Sequence, residues 1–373
     1  MTLGSPPPVL QEGKATFTVG SAFYRPQSAI ARDLAVLAAA IYRQRHGRLR
    51  VLDAMTGCGV RPLRYGLEAG ADWIWANEGN PDLAGVLAQN LAALPANACR
   101  ITHQDAHQVF FTCYQQRDFY DLVDIDNFGS PAPYVSTGLW ATHLGGLLYL
   151  TSTDGRATSG HDPERCLRTY GAYGRSHPAA HEQGLRLIIG HATQTAAARG
   201  VGVEPVFSLF TGQVHRVMVR LVSKPTLTGN NYGFVAYCHH CGHFQTVDWR
   251  HLGRVNCPCR AQAPPVVSGP MWLGPLHDGA MLAEMQGLAD SWGWSSQAKL
   301  LAIMAREIDL PPYYYPLGDI GRHGQMDIPN RDRLIAALQT KGYQAAIPSM
   351  DWQGVKTSAA FGDCVAIAKA IQS

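Results

Sequence analysis

The sequence predicts an α/β chain with a doubly wound, largely parallel sheet, followed by a Cys/His-rich module and a smaller α/β domain. Three observations support this fold class. Apolar strand-like runs alternate with helix-like segments over residues 28–151, as in a parallel sheet with crossover helices. Four cysteines cluster over residues 238–259, and the composition changes near Lys224 and Pro225. The expected domains are 1–225, 226–275 and 276–373.

The elements of the first domain follow from apolar spacing and from turn residues. Apolar positions at helical intervals predict a first helix over 28–46. Strands are expected at 49–54, 73–76, 100–102, 122–125 and 147–151, with helices up to residue 69, over 81–93 and over 139–143. A long helix over 181–199 precedes an antiparallel pair at 206–209 and 214–222; the tail is expected to carry helices at 292–307 and 331–341.

Composition excludes several classes of protein. The 373 residues are 46% hydrophobic and 16% charged, which is typical of a packed chain rather than a disordered one. A net charge of +3 permits contact with nucleic acid but does not argue for it. Residues 1–10 lack the pattern of a signal peptide, and the apolar run at 34–41 is far shorter than the ~20 residues of a membrane span. We therefore expect a cytoplasmic protein with no membrane contact and no obligate protein partner.

A glycine-rich turn after the first strand predicts a cofactor site. Gly57 and Gly59 carry no side chain, so a ligand can approach the backbone there. A dinucleotide site would prefer a third glycine, but Val60 and Arg61 occupy that space, and Asp53 disfavours a phosphate. The pattern favours S-adenosyl-L-methionine, a cation without phosphate, over a dinucleotide.

Acidic residues follow the next two strands. Glu78 ends the second strand, where a carboxylate can accept the two ribose hydroxyls of a nucleoside. Asp105, with Ala106, follows the third strand and is placed to bind the adenine amino group. Each acid alone could equally be an ordinary loop residue. Their order and spacing together predict one site along the carboxyl edge of the sheet.

The tetrapeptide from Asp126 to Gly129 follows a buried strand and suits transfer of a methyl group to a planar amine. A carboxylate from Asp126 and the backbone carbonyl of Asn127 can accept the two N–H groups of an exocyclic amine. The rings of Phe128 and Phe23 can enclose the base that carries this amine. Asp126 could instead be a structural acid, and Asp124, on the same side of the strand, is the alternative base.

The cysteine cluster predicts a structural metal site. Cys238 and Cys241 form one close pair, and Cys257 and Cys259 form the second. Two such pairs are typical of four-coordinate Zn²⁺, with no open position for a water molecule. Competing ligands are nearby at His239, His240 and His243.

These residues resemble those of the tRNA guanine-N2 dimethyltransferases, which modify the guanine at tRNA position 26. The resemblance extends over nearly the whole chain, through Glu12-Gly13-Lys14-Ala15, Phe23-Tyr24-Arg25-Pro26, Pro163-Glu164-Arg165-Cys166 and Gly274-Pro275-Leu276-His277-Asp278. It implies a class I methyltransferase fold and S-adenosyl-L-methionine held by Arg32, Arg61, Glu78, Asp105 and Ala106. It also implies that Asp126 is the catalytic carboxylate and that the four cysteines bind zinc. One departure is Asn127, which stands where the family usually has proline.

We therefore expect methyl transfer to N2 of a tRNA guanosine, giving N2-methyl- and N2,N2-dimethylguanosine. Asp126, Asn127 and Phe128 would act on the base, Phe23 would stack on it, and Lys14 and Lys356 would contact the RNA. The tail domain would hold the body of the tRNA. Two alternatives stay open: an amino methyltransferase of DNA adenine or of a protein amide, and a non-catalytic, zinc-bearing RNA-binding protein.

Overall fold

The computed structural model describes residues 8–257, 259 and 264–372. Its strands form four sheets. The strands are β1 (Val9–Glu12), β2 (Ala15–Thr18), β3 (Arg50–Asp53), β4 (Trp73–Asn77), β5 (Cys99–Thr102), β6 (Tyr120–Ile125), β7 (Thr142–Ser152), β8 (Gly202–Thr211), β9 (Val214–Val222), β10 (Tyr232–Tyr237), β11 (Phe244–Val247), β12 (Val266–Trp272), β13 (Tyr315–Pro316), β14 (Ala345–Ala346) and β15 (Gly354–Thr357).

The helices cover the sheets and connect their strands. They are α1 (Ala29–His46), α2 (Val60–Leu67), α3 (Ala84–Leu91), α4 (Ala106–Gln116), α5 (Ala132–Ala141), α6 (Gly155–Thr158), α7 (Pro163–Tyr170), α8 (Ala180–Ala197), α9 (Gly279–Ser291), α10 (Ser295–Ala305), α11 (Leu317–Gly324), α12 (Arg331–Thr340) and α13 (Phe361–Ala370). In the described residues, no helix is both long and apolar enough to span a membrane.

The seven-stranded sheet confirms the predicted α/β fold. Its strand order is β5-β4-β3-β6-β7-β9-β8. The first five strands are parallel, and β9 and β8 complete the sheet in antiparallel pairing, as the sequence predicted. The chain runs outward from β3 to β5 and then returns to β6 on the other side of β3. This reversal opens a crevice at the carboxyl ends of β3 and β6, where ligands of such sheets bind.

Apolar residues on both faces of the sheet explain its position at the centre of the molecule. Every residue of β6 is buried. Leu122 packs in one core cluster with Leu34 of α1, and Val123 packs in the other with Phe110 of α4 and Ile188 of α8. Each face of β6 is thus covered by helices. Asp124, near the end of β6, and Asp126, just after it, lie at the carboxyl edge of the sheet between these two helical layers.

Two helical predictions were wrong in their bounds. The helix expected over 139–143 is α5, which starts after Pro131, and Thr142 already begins β7. The tail helix expected over 292–307 is α10, which begins only at Ser295, and the preceding helix α9 was not predicted; Gly293, with a positive φ of 75°, lies between the two. Helix α4 was not predicted at all, although Asp105 caps its first turn. Pro131, Gly293 and Asp105 mark these boundaries.

The domain boundaries stay a prediction, and the structure shows where the segments pack. Helices α9 and α10 follow the expected boundary at residue 276, yet Leu282 and Leu301 belong to the same core cluster as Leu34 of α1. The short strands β13–β15 and helices α11–α13 form a small α/β unit in the tail, as expected. Residues 258 and 260–263 of the expected zinc module lie outside the described part of the chain.

Candidate active site

A cavity of about 700 Å³ lies at the carboxyl edge of the seven-stranded sheet. This volume is within the range of small-molecule sites. The loops after β3, β4, β5 and β6 all contribute to its wall. On the predicted cofactor side the lining includes Arg32, Gly57, Arg61, Glu78, Asp105 and Ala106. On the predicted substrate side it includes Phe23, Asp126, Asn127 and Phe128.

The glycine turn and Glu78 form one rigid unit at the cofactor side. Gly57 has a positive φ of 58°, and its N–H donates to Oε2 of Glu78 at 2.8 Å. The other carboxylate oxygen accepts from the N–H of Asn80 at 2.9 Å. Each carboxylate oxygen retains acceptor capacity for a ribose hydroxyl. Gly59 does not line the cavity; a Cβ there would lie 2.7 Å from Leu87, so packing requires this glycine.

Asp105 stands at the start of α4, after β5, whereas Asp126 follows β6. Its Oδ1 accepts from the backbone N–H of His107 at 2.8 Å and from that of Gln108 at 3.4 Å. These hydrogen bonds orient the carboxylate at the cavity wall, beside Ala106. A carboxylate in that place can accept a hydrogen bond from an adenine amino group.

Arg61 links the two acids at the end of β6. Its Nη1 lies 2.9 Å from Oδ2 of Asp124, and its Nη2 lies 2.6 Å from Oδ2 of Asp126. The Asp124 side chain is fully buried and also accepts from the hydroxyl of Tyr65 at 2.7 Å. The Asp126 side chain is 30% exposed and lines the cavity. Of these two acids, Asp126 is the one that a substrate can reach.

The charge of Asp126 is set by its neighbours. Burial raises the pKa of this carboxyl, but the positive charges of Arg61 and Arg216 outweigh burial and hold the pKa below its ordinary value of 3.8. Asp126 is therefore an ionised carboxylate at neutral pH, and it can only accept hydrogen bonds.

The side chain of Asn127 organises the turn that follows Asp126. Its Nδ2 donates to the carbonyl of Phe128 at 2.9 Å and to that of Ser130 at 2.7 Å. Asn127 is nearly buried, whereas the ring of Phe128 is 77% exposed. The two hydrogen bonds restrain the turn where proline would do so in the family that the sequence resembles.

Phe23 and Phe128 stand together at the mouth of the cavity. Their ring centroids are 5.3 Å apart, with an interplanar angle of 71°. This edge-to-face contact leaves no gap for a base between the rings, so stacking on both faces requires the rings to rotate apart. Both rings are largely exposed, and such a rotation loses little packing.

Two further residues of the predicted cofactor site are less available to ligands than the sequence suggested. Asp53 is fully buried below the glycine turn, where burial and the charge of Asp124 raise its pKa, and it does not line the cavity. The guanidinium of Arg32 reaches the cavity wall but is paired with Glu12, at 2.6 Å from Nε to Oε1.

The two predicted RNA-binding lysines lie outside the cavity. Lys14 is in the β1–β2 turn, and its backbone N–H donates to Oε1 of Glu68 at 3.1 Å. Lys356 is 1% exposed, and its Nζ lies 2.6 Å from Oε1 of Glu182 and 3.6 Å from Oε2 of Glu307. The ammonium of Lys356 is thus enclosed by carboxylates and does not face solvent, where a phosphate would lie.

Sequence reasoning missed Arg216, which also lines the cavity. This residue lies on β9, is 3% exposed, and donates from Nη2 to Oγ of Ser28 at 3.1 Å. A charged residue within the apolar run of β9 was the available signal. Only the antiparallel return of the chain places it near Asp126, a residue 90 positions earlier by number.

The four predicted zinc ligands come together at the β10–β11 turn and the segment before β12. Their sulfur atoms all lie within 4.8 Å of one another, with Cys238–Cys259 at 3.7 Å, Cys241–Cys257 at 3.2 Å and Cys257–Cys259 at 3.3 Å. Tetrahedral Zn²⁺ with Zn–S bonds of about 2.3 Å requires sulfur atoms about 3.8 Å apart. The four thiolates therefore fit a closed zinc site, and in the described residues no histidine joins the cluster.

Comparisons with known proteins agree with this site. A family model described as N2,N2-dimethylguanosine tRNA methyltransferase matches residues 7–369. The tRNA (guanine(26)-N(2))-dimethyltransferase of Pyrococcus horikoshii is 28% identical, with 94% of this chain and 95% of the relative covered. The enzyme of the same name from Thermococcus kodakarensis is 29% identical, with 91% of each chain covered.

A solved structure shares the fold over almost the whole length. It is Trm1 from Pyrococcus horikoshii in complex with S-adenosyl-L-methionine, with a TM-score of 0.84 and 26% identity. The match covers 96% of this chain and 99% of that one. From the family model and this agreement, the chain belongs to the N2,N2-dimethylguanosine tRNA methyltransferase family.

Proposed function

We propose that this protein transfers methyl groups from S-adenosyl-L-methionine to the exocyclic N2 of the guanosine at position 26 of tRNA, giving N2-methyl- and N2,N2-dimethylguanosine. One observation carries the proposal. An ionised carboxylate, Asp126, shares a single cavity with the acids Glu78 and Asp105, which suit a bound nucleoside. The family and the activity of its relatives support the same reaction.

The cofactor side is suited to S-adenosyl-L-methionine, which supplies an electrophilic methyl group on a sulfonium. Glu78 would accept the ribose hydroxyls, and Asp105 would accept the adenine amino group, with Ala106 beside it. Gly57, which has no side chain, leaves room at the turn for the amino-acid part of the ligand. The chain's own contribution is to hold the donor methyl toward Asp126.

The substrate side is suited to an extruded guanine. The amine N2 is a weak nucleophile because its lone pair is conjugated with the ring. Asp126 and the backbone carbonyl of Asn127 would accept its two N–H groups and orient the lone pair toward the methyl donor. Extrusion of the nucleotide costs a few kcal/mol, and stacking on Phe128 and Phe23 returns about 1–3 kcal/mol per base.

Asp126 also provides a route for the proton. Methylated N2 carries an extra proton, which the adjacent carboxylate can accept and pass to water because the side chain is partly exposed. The second methylation needs the monomethylated amine to rotate in place. A cavity of about 700 Å³ leaves room for that rotation.

The partner in this proposal is tRNA, and the site of action is the cytoplasm. The small α/β unit in the tail would hold the tRNA body, and the cysteine cluster would carry structural Zn²⁺ between the two parts. No obligate protein partner is inferred.

The proposal is tested by giving the purified protein labelled S-adenosyl-L-methionine with tRNA, DNA or a mixture of proteins. We expect label only in tRNA. Label confined to DNA or protein would support an amino methyltransferase of another substrate class. Binding of the cofactor, by calorimetry, without transfer to any substrate would support a non-catalytic RNA-binding protein.

A further inference from the structure

Arg216 has hydrogen-bonding capacity that the proposed reaction does not yet use. It is 3% exposed, and one of its three nitrogens, Nη2, donates to Ser28. The other two, Nε and Nη1, have no hydrogen-bond partner in the described part of the chain. A buried guanidinium left this way costs free energy unless a ligand supplies acceptors. Because Arg216 lines the cavity, a bound ligand can supply them.

The strand register places Arg216 beside Asp126. Ile125 of β6 pairs with Leu150 of β7, and the next residue of β7, Thr151, pairs with Arg216 of β9. Asp126 therefore continues the row that contains Thr151 and Arg216. Neighbouring strands are about 4.8 Å apart, so the backbones of Asp126 and Arg216 are separated by about 10 Å, within reach of an arginine side chain.

The same strand order separates Arg216 from the cofactor side. Glu78 and Asp105 follow β4 and β5, on one side of β6, whereas β7 and β9 lie on the other side. Along the carboxyl edge, Glu78 and Asp105 come first, then Asp126, and then Arg216. A group that occupies the space beyond Asp126 belongs to the methyl acceptor.

Guanine presents the matching pattern along one edge. Its N2 amine donates hydrogen bonds, and O6, at the other end of that edge, accepts them. With N2 held by Asp126, O6 is directed along the row toward Arg216. Arginine is the side chain that most often donates to guanine O6 in recognition of nucleic acids.

We propose that Arg216 is a specificity residue that donates to O6 of the target guanine. It works with Asp126, so the pair recognises a base with an amine at one end of the edge and a carbonyl at the other. Adenine has an amine in place of O6 and would face the guanidinium donor to donor. This inference rests on the proposed function, and it adds the means by which the base is chosen.

The experiment uses two tRNA transcripts with either guanine or 6-thioguanine at position 26. Sulfur replaces only O6 and is a weak acceptor, while the N2 amine is kept. For the wild-type protein we expect kcat/KM to fall about ten-fold or more with 6-thioguanine, the effect of losing one charged hydrogen bond. For Arg216→Met we expect slow methylation of guanine and a ratio between the two bases within about two-fold of unity. Arg216→Lys keeps the positive charge but lacks the planar guanidinium with its paired N–H donors, so its ratio between the two bases should fall between those of wild type and Arg216→Met.

Thermal melting shows that each variant is folded, and calorimetry measures its affinity for the cofactor. For a variant too slow to assay, the ratio of the dissociation constants for the guanine and 6-thioguanine tRNAs replaces the ratio of kcat/KM values. Equal discrimination by wild type and variants would overturn the inference and leave the proposed function intact. Weakened cofactor binding with unchanged discrimination would also overturn it, since Arg216 would then serve the cofactor carboxylate. Failure of the wild type to methylate guanine-containing tRNA would instead remove the proposed function itself.

Discussion

Asp126 occupies the position where three requirements of amine methylation meet. It lies at the end of β6, it is partly exposed to the cavity, and two arginine charges keep it ionised. Its neighbour Asp124 carries the same functional group but is fully buried, and its Oδ2 is bound by Arg61 and Tyr65. Two residues of the same type thus differ in accessibility, because one faces the protein core and the other faces the cavity.

Replacing Asp126 by asparagine should reduce kcat by about 10²–10⁴-fold, since an acceptor for the amine and its proton is lost. Affinity for S-adenosyl-L-methionine should change little. A matched control is Asp118→Asn, which breaks a 2.7 Å pair with Arg50 at the opposite end of the same strand. Single-turnover methylation of tRNA measures both. Wild-type rates in Asp126→Asn would exclude Asp126 from the mechanism.

The depressed pKa of Asp126 predicts how the rate depends on pH. Because the pKa of Asp126 lies below its ordinary value of 3.8, half-protonation of the carboxyl occurs only at a pH below 3.8. The carboxylate is therefore ionised at any pH well above that value. We expect kcat to be independent of this group over pH 5.5–8, about two pH units or more above that value. A pH profile under saturating cofactor and tRNA measures this. An acid limb with a midpoint near pH 6.5 that disappears in Asp126→Asn would contradict the assignment.

Asn127 replaces the usual proline and achieves a similar restraint by a different route. Its amide holds the carbonyls of Phe128 and Ser130. Asn127→Ala should therefore slow methylation by up to about thirty-fold, as two hydrogen bonds of about 1 kcal/mol each are lost from the turn. Asn127→Pro should stay closer to wild type, because the ring fixes φ instead. A proline variant slower than the alanine variant would show that the amide itself is needed.

At the residue scale, the sequence predicted the acids at strand ends better than the isolated cations. Glu78, Asp105 and Asp126 follow predicted strands within three residues, and strand topology alone brings such positions to one edge. Lys356 gave no such signal. Its burial beside Glu182 depends on the packing of segments far apart in the chain, which the residues around Lys356 do not predict.

At the element scale, the three-stranded sheet of β10, β11 and β12, beside the cysteine cluster, contacts both helix α8 and the tail of the chain. Arg186 of α8 donates to the carbonyls of Trp272 and Gly274, at the end of β12. In the same three-stranded sheet, Phe244 of β11 stacks on Tyr313 of the tail with ring centroids 4.8 Å apart. A metal that fixes the β10–β11 turn would therefore fix the tail relative to the sheet.

Loss of the metal should weaken tRNA binding without a comparable effect on cofactor binding. Cys257→Ser, or treatment with a chelator, should lower thermal stability and weaken tRNA binding, while cofactor binding stays close to wild type. Cys99→Ser is the matched control, since Cys99 is a partly buried thiol at the start of β5, outside the cluster. Metal content and binding of each ligand are the measurements. An unchanged melting temperature after complete metal removal would show that the cluster has no structural role.

The elements themselves were predictable where pattern and turn signals agree. Helix α1 and the β8–β9 pair have long, regular apolar spacing, and both were expected. Helix α4 was missed because its sequence mixes polar and aromatic residues, and its buried face appears only when it packs with α5. Helix α9 was missed although Asp278 caps its first turn, and the expected start of α10 at residue 292 was three residues too early.

At the scale of the whole molecule, a buried ion network joins distant segments. Glu307 follows α10 and contacts Lys356 of β15, His277 and Ser349. Burial raises the pKa of Glu307, but the charge of Lys356 and the hydrogen bonds from His277 and Ser349 together outweigh burial and lower the pKa to about 2. An acid with a depressed pKa stabilises the fold above its ordinary pKa of 4.5, and this stabilisation is lost as pH falls toward 2.

Glu307→Gln should lower the free energy of unfolding at pH 7 by about 3–5 kcal/mol, because Lys356 keeps a buried charge with one partner fewer. The difference from wild type should shrink between pH 4.5 and pH 2. Glu284→Gln removes the partner of Arg45 in an exposed pair and should cost only about 0–1 kcal/mol. Denaturant unfolding at several pH values measures these. Equal effects of the two substitutions would refute the role given to the network.

The overall architecture was predictable because alternation of strand and helix permits few topologies. The packing of α9 and α10 on α1 was not. It joins segments more than 200 residues apart, and the apolar faces that meet there, such as Leu34 and Leu282, are compatible with many other partners.

The most direct measurement is the nucleoside composition of a tRNA transcript after incubation with the protein and S-adenosyl-L-methionine. Transcripts with guanosine or adenosine at position 26 are digested and analysed by mass spectrometry. We expect N2-methylguanosine, followed by N2,N2-dimethylguanosine, from the first transcript and neither from the second. Methylation of a different atom, or equal modification of both transcripts, would contradict the account.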